Sequence, residues 1–455
     1  MRIINPATEE LITELPDDNA ATLEILYTRL RKAQPSWAAK ALRERIEVIE
    51  RFAVLLKDNI KQLAGVLTSE VGKPLQQSRN EINGAITRIN WLTGSAGKWL
   101  SPELVSETAT MEERISYDPL GVICNISAWN YPYLVGVNVF VPALLAGNAV
   151  CYKPSEFATL TGLEIEKLLH EAGVDSHVFL LAKGAADTGR LLLDMPFDGY
   201  YFTGSYRTGK YIFEKVAPRM IPVQCELGGK DPLYVADDIE DVPAVAAATA
   251  DGAFYNNGQS CCAVERIYVH EKIYDRYLDE FVKEVKSWKT GDPLEAGVYI
   301  GPLSRAAQSG FLAGQVSDAV AKGARLLTGG EKPAGRGYYF QPTVLADASH
   351  DMDLMKEESF GPVIGIMKVK DDAEAIVLMQ DTEYGLTASV YSSSRDRAES
   401  ILGQVDSGSG YWNCCDRVSA ALPWSGRGHS GFGSTLSYTG LRAFTKPKAW
   451  HLRKG

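Results

Sequence analysis

Apolar residues recur at helical spacing in the first part of the chain: Leu23, Leu26, Leu30 and Ala33, then Leu42, Ile46, Ile49, Ala53 and Leu56. Each set marks the buried stripe of a helix. From Gly121 the pattern changes. Short apolar runs, GVICNI, AVCY, VFLLA and YYFT, alternate with helical stretches such as LEIEKLLHEAG and TGKYIFEKV. Strands alternating with helices predict a parallel sheet. A second series begins near Pro232 with PLYVAD, passes through DVPAVAAATADGAFY and the strand-like RIYVH, and enters the helix YDRYLDEFVKEVKSW. It predicts a second α/β unit. The polar stretch Glu107–Pro119, ETATMEERISYDP, predicts an extended hairpin outside the sheets.

From Pro119 to Tyr152 there is no charged residue, a run longer than a membrane span requires. Asn125, Asn130, Asn138 and Asn148 interrupt it, as do Pro132 and Pro142, and lipid offers their backbone no compensating partners. The run therefore belongs to the core of a soluble domain. The net charge is −10, with scattered basic residues and no Lys/Arg run, which excludes nucleic acid and a membrane as expected partners. Residues 1–30 carry acidic residues and no signal-peptide core, so a cytoplasmic location is expected. Seven cysteines in 455 residues are an odd number in a long chain, so reduced thiols are expected rather than a disulfide framework.

Two of those thiols, Cys261 and Cys262, follow NNGQS. A nucleophilic thiol needs a loop or helix terminus where its thiolate is favoured, and Gly258 and Gln259 after a helical run supply a sharp turn with free amides. Taken alone, a buried structural cysteine fits as well. Three further stretches change the balance. ISAWNYPY ends a predicted strand, and its Asn130 can donate to a developing oxyanion. In ELGGK, Glu226 stands beside two glycines that let another group come close, and it can act as a general base. EESFGP sets paired carboxylates before an aromatic and a rigid turn. The six histidines show no metal-ligand spacing, and no metal is expected.

In this order the motifs INPATEE, WNYP, AGNAVCYKPSE, FTGS, ELGGKDP, FYNNGQSCCA, EESFGP, YGLTASVY, GYWNCCD and SGFG resemble the aldehyde dehydrogenase superfamily across nearly the whole chain. The resemblance implies NAD(P)-dependent oxidation of an aldehyde to its acid, with Cys261 as nucleophile, Asn130 as oxyanion donor and Glu226 as base. Cys262 lines the same pocket. A standard GxGxxG fingerprint is absent, as it is from the family. By resemblance Lys153, Ser155 and Glu156 meet the adenosine ribose, Gly204 and Ser205 the phosphates, and Trp129 the pyrophosphate side. Glu358 and Phe360 meet the nicotinamide half. Gly204 and Gly209 bracket a helix start suited to phosphate.

The resemblance further implies an α/β fold: a Rossmann-like cofactor-binding domain over 1–100 and 120–227, a catalytic domain over 228–430, and a small β oligomerisation extension. That extension is expected from a hairpin at 101–119 and a C-terminal segment at 431–455, building a homodimer or homotetramer. The expected substrate pocket comprises Tyr131, Val135 and Asn138 near WNYP, Ser260 and Cys262 beside the nucleophile, and Arg417 and Trp424 near the end. Arg417 suits a carboxylate, as in a succinate semialdehyde dehydrogenase, or faces solvent. The presence of Glu226 argues for hydrolysis rather than acyl transfer to CoA. NAD is the expected cofactor, with NADP possible, because Glu156 would oppose a 2′-phosphate while Lys153 would attract it.

Overall fold

The computed structural model describes residues 1–454 as a mixed α/β fold with two parallel sheets. Four helices come first: Ala20–Ala38, Leu42–Asp58, Ile60–Val71 and Leu75–Leu100. Leu23, Leu30, Ile46, Ile49, Ala53 and Leu56 are buried, while Leu26, Ala33 and Leu42 pack on that core from its rim.

Six strands form the first sheet in the order Gly431–Phe432, Val223–Glu226, Gly199–Thr203, Val122–Ile126, Ala149–Lys153, Phe179–Leu181. All pairs are parallel except the one made by Gly431–Phe432. The uncharged run is explained here. It supplies two adjacent strands, Val122–Ile126 and Ala149–Lys153, and the connecting helix Pro132–Ala146, which is buried almost all round. Asn148 is tolerated because its side chain is satisfied: Oδ1 accepts from Gly121 at 2.9 Å, and Nδ2 donates to the carbonyls of Ala143 and Phe444.

The second sheet has seven strands in the order Arg325–Thr328, Thr343–Ala346, Val363–Val369, Val264–His270, Asp231–Val235, Thr387–Tyr391, Ser409–Trp412. Only its first pair is antiparallel. Glu103–Glu107 and Met111–Pro119 form an antiparallel hairpin, extended by Thr445–Arg453 to three strands. The chain after residue 430 thus divides. Gly431–Phe432 returns to the six-stranded sheet beside Cys225 and Glu226, and only the last strand joins the hairpin. Among the described residues no helix is long and apolar enough to cross a membrane.

Candidate active site

Cys261 lies just before the strand Val264–His270, at the end of a turn with an unusual backbone. Asn256, Asn257 and Gly258 have φ of 54°, 57° and 68°, three left-handed residues in succession. Asparagine and glycine tolerate this region best. A Cβ on Gly258 would lie 2.3 Å from the carbonyl oxygen of Gly361, so glycine is also required by space. The asparagine side chains fasten the turn: Asn257 Nδ2 donates to Pro302 O at 2.8 Å, and Asn256 Nδ2 donates to the carbonyls of Gln259 and Asn130. Cys261 emerges half-buried, and its own backbone N–H has no acceptor among the described residues.

Cys262 is in a different environment. It is buried against Leu386, Trp424 and Leu436, and its thiol donates to Asp416 Oδ1 at 3.0 Å. The adjacent Cys261 thiol, burial and the Asp416 charge push it well above the usual thiol range. Ser260 Oγ lies 3.5 Å from its sulfur.

The two glycines of ELGGK have separate reasons. A Cβ on Gly228 would meet the Glu358 carboxylate at 2.4 Å, and one on Gly229 would meet the Cys261 carbonyl at 2.5 Å. Glu226 ends its strand buried, with its carboxylate accepting from the Thr435 hydroxyl and, at 3.4 Å, from Gln224 Nε2. Burial outweighs these bonds and pushes its pKa up to about 7. That suits a group that accepts a proton near neutrality. Buried Lys230 pairs with Glu265 at 2.6 Å. Glu265 also accepts from the amides of Ser359 and Phe360, fixing EESFGP against the nucleophile turn.

Asn130 follows the strand Val122–Ile126 and donates Nδ2 to Gln259 O at 3.1 Å. Its own carbonyl accepts from Lys73 Nζ at 2.7 Å. Lys73 is fully buried, pairs with Glu81 and lies over the Tyr131 ring at 3.7 Å. Glu81 accepts from Tyr133 N at 2.8 Å, so this pair anchors both sides of WNYP. Sequence reasoning missed Lys73, Glu81, Arg88 and Thr435. A signal existed: Glu81 and Arg88 interrupt the apolar stripe Ile82, Ala85, Ile89, Leu92 of their helix, and a charge on a core face needs a buried partner.

Of the expected pocket residues, Asn138, Ser260, Cys262 and Trp424 are buried, while Tyr131 and Val135 are half-buried. Arg417 is exposed, with no side-chain hydrogen bond or ion pair among the described residues, a position that suits the solvent-facing one of its two expected readings. Its neighbour Asp416, with φ of 48°, turns inward instead, and burial pushes it up to about 7.

In the six-stranded sheet the chain winds outward in both directions from Val122–Ile126, so a crevice opens beyond the carboxyl ends of that strand and Gly199–Thr203. Trp129 follows the first, Gly204 and Ser205 the second. Ser205 precedes the helix Tyr206–Val216, and its hydroxyl donates to Thr208 Oγ1 rather than capping the helix, which leaves the first-turn amides open to an anion. A Cβ on Gly209 would clash with Leu227 at 2.5 Å, so this helix packs close to the sheet. Lys153 ends the next strand, and Ser155 and Glu156 follow it. Lys153 is buried and donates to Pro154 O, and Ser155 Oγ donates to Glu156 Oε2 at 3.1 Å. Phe360 meets Trp129 edge-on at 5.5 Å. Half-buried Glu358 accepts from Gly229 N at 3.0 Å, and loss of solvent around its carboxylate raises it to about 8. A crevice with a helix N-terminus at its centre, a carboxylate at one end and aromatic rings at the other fits a nicotinamide dinucleotide.

The chain belongs to the aldehyde dehydrogenase family, whose profile matches residues 1–450. It is 33% identical over 446 residues to a succinate-semialdehyde dehydrogenase [NADP(+)] from Deinococcus radiodurans, with 98% of this chain and 93% of that protein covered. Its fold matches a putative aldehyde dehydrogenase from Burkholderia cenocepacia with a TM-score of 0.96 at 30% identity, covering 99% of this chain and 94% of that one. It matches an NAD-dependent aldehyde dehydrogenase from Sinorhizobium meliloti with a TM-score of 0.95 at 30% identity, covering 99% and 91%. The protein is an NAD(P)-dependent enzyme that oxidises an aldehyde to the carboxylic acid.

Proposed function

We propose that Cys261 is the nucleophile of this reaction, Asn130 and the Cys261 amide its oxyanion donors, and Glu226 the base that activates the hydrolytic water. The observation that carries this reading is convergence: Asn130 is tied to Gln259, two residues before a half-buried thiol whose own amide is unpaired. Cys261 Sγ adds to the aldehyde carbon, and the carbonyl oxygen gains negative charge between the two donors. NAD(P), when bound, accepts the hydride. Water then attacks the Cys261 thioester as Glu226 takes its proton, and the acid leaves as the Cys261–carbonyl bond breaks. The test is aldehyde-dependent reduction of the dinucleotide without CoA, with the acid as product, lost on substitution of Cys261.

NAD is the preferred dinucleotide in this reading. In support, the first amides of the helix Thr159–Ala172 are taken by Glu70, which accepts from Leu160 and Thr161. Glu156 is thus not that helix's cap and is available to ribose hydroxyls. The enzyme assembles as a homodimer or homotetramer through the three-stranded sheet, whose first strand exposes Leu104 and Val105. Seven free thiols suit a reducing, cytoplasmic setting.

A further inference from the structure

Arg88 projects from the helix Leu75–Leu100 toward the helix Pro132–Ala146, nine-tenths buried. Its Nη1 donates to Asn138 Oδ1 at 2.9 Å and to Leu134 O at 3.3 Å. Nothing else holds it. Among the described residues it has no ion-pair partner, and its Nε and Nη2 meet no acceptor although neither is sealed in the core. That free edge is the side of a guanidinium on which two N–H bonds lie parallel, the geometry that grips both oxygens of a carboxylate. Both anchors, Leu134 and Asn138, lie in the first two turns of the helix that starts two residues after Asn130, which sets Arg88 beside the catalytic loop, where the charges acting on it are those of Glu226, Cys262, Glu81 and Cys261.

Resting on the aldehyde dehydrogenase chemistry proposed for Cys261 and Glu226, we propose that Arg88 forms an anion subsite of the substrate pocket, and that the preferred aldehydes carry a carboxylate at the far end of a short carbon chain. Asn138 orients the guanidinium and leaves its open edge to the substrate. The chain must be short because Arg88 is anchored within the first two turns of the helix that starts two residues after Asn130, and each turn rises only about 5.4 Å. The competing acidic groups in the pocket are Asp416 and Glu226, which would draw a cationic aldehyde, but Glu226 accepts from the Thr435 hydroxyl and burial pushes it up to about 7. Asp416 already accepts the Cys262 thiol at 3.0 Å, and burial pushes it up to about 7, whereas a guanidinium keeps its charge throughout the working pH range.

The experiment compares kcat/KM for succinic semialdehyde, butyraldehyde and aminobutyraldehyde in the parent enzyme, Arg88→Met, Arg88→Lys and Asn138→Ala. The parent is expected to prefer the semialdehyde by roughly tenfold or more over both others. The preference collapses in Arg88→Met, chiefly through KM, and survives in part in Arg88→Lys and Asn138→Ala. A parent that prefers butyraldehyde or the amine overturns the proposal without any variant. So does a folded Arg88→Met whose preference is unchanged, or one that loses both substrates equally. Failure of the underlying chemistry is separate: a parent that oxidises no aldehyde refutes the Cys261 and Glu226 roles, and calorimetric binding of succinate to parent and Arg88→Met then decides the subsite.

Discussion

The side-chain amide of Asn130 donates to the main-chain carbonyl of Gln259 at 3.1 Å. This bond joins a loop of the six-stranded sheet to the turn that presents Cys261, so the donor and the thiol belong to one fixed assembly. Lys73 holds that assembly from behind, through the Asn130 carbonyl.

Cys261→Ala is expected to lower kcat/KM by at least about a thousandfold, because no other group in the turn can form the covalent intermediate. Cys262→Ala should cost less than about tenfold, since its thiol is buried and only donates to Asp416. Steady-state NADH formation separates the two cysteines, and the opposite ranking refutes the assignment.

Glu226→Gln should still release a rapid burst of NADH and then turn over slowly, because only thioester hydrolysis needs the base. With its pKa raised to about 7 by burial, Glu226 is protonated and idle below that value and active above it. The hydrolytic rate of the parent is therefore expected to climb through pH 7 and level off, and in Glu226→Gln this limb disappears. Stopped-flow absorbance across pH reads both effects.

Glu156→Ser is expected to reduce discrimination against NADP. A carboxylate facing the 2′-phosphate costs of order 1–3 kcal/mol, roughly ten- to a hundredfold in affinity. KM for NAD and NADP in parent and variant checks this, and equal use of both by the parent refutes it.

Lys73→Met leaves Glu81 as an unpaired buried carboxyl, and the expected loss is about 3–5 kcal/mol in denaturant unfolding. Replacing both residues, Lys73→Met with Glu81→Leu, should recover much of that stability. Activity should not recover with it, because the Asn130 carbonyl still lacks its lysine donor.

Glu70 gives a stability signature. Burial raises its pKa from 4.5 to about 7, so it holds its proton more tightly folded than unfolded. Its contribution is most favourable below pH 4.5, declines as pH rises from there to about 7, and is constant above. Glu70→Gln keeps one of the two oxygens that accept from Leu160 and Thr161, gives up the other, and removes this slope, a change of order 3 kcal/mol across the window. Unfolding free energy against pH for both proteins tests it.

The strands of both sheets were legible because parallel strands buried on both faces read as continuous apolar runs, as in Val122–Ile126 and Ala149–Lys153. The nucleophile turn was legible through NNG, the residues that a left-handed path demands. The support behind it was not. Lys73 and Glu81 reach WNYP across about fifty residues of chain, and their charge is informative only once the helices pack. Arg417 and Asp416 show a second limit. A polar loop has no period, so the left-handed φ at Asp416 decides which neighbour faces the pocket. No pattern in DRV announces that turn.

The turn before Cys261 also bears on the chemical lifetime of the enzyme. Asn257–Gly258 is the dipeptide most prone to cyclise and deamidate, and asparagine is among the residues that limit durability on heating. In the native fold both ends of the Asn257 amide are engaged, Nδ2 with Pro302 and Oδ1 with the amide of Gly301 at 2.8 Å. The backbone nitrogen of Gly258 therefore cannot swing onto that side chain while the structure is closed. Damage to the loop becomes a record of opening: each excursion that frees Asn257 exposes it to an irreversible conversion four residues before Cys261.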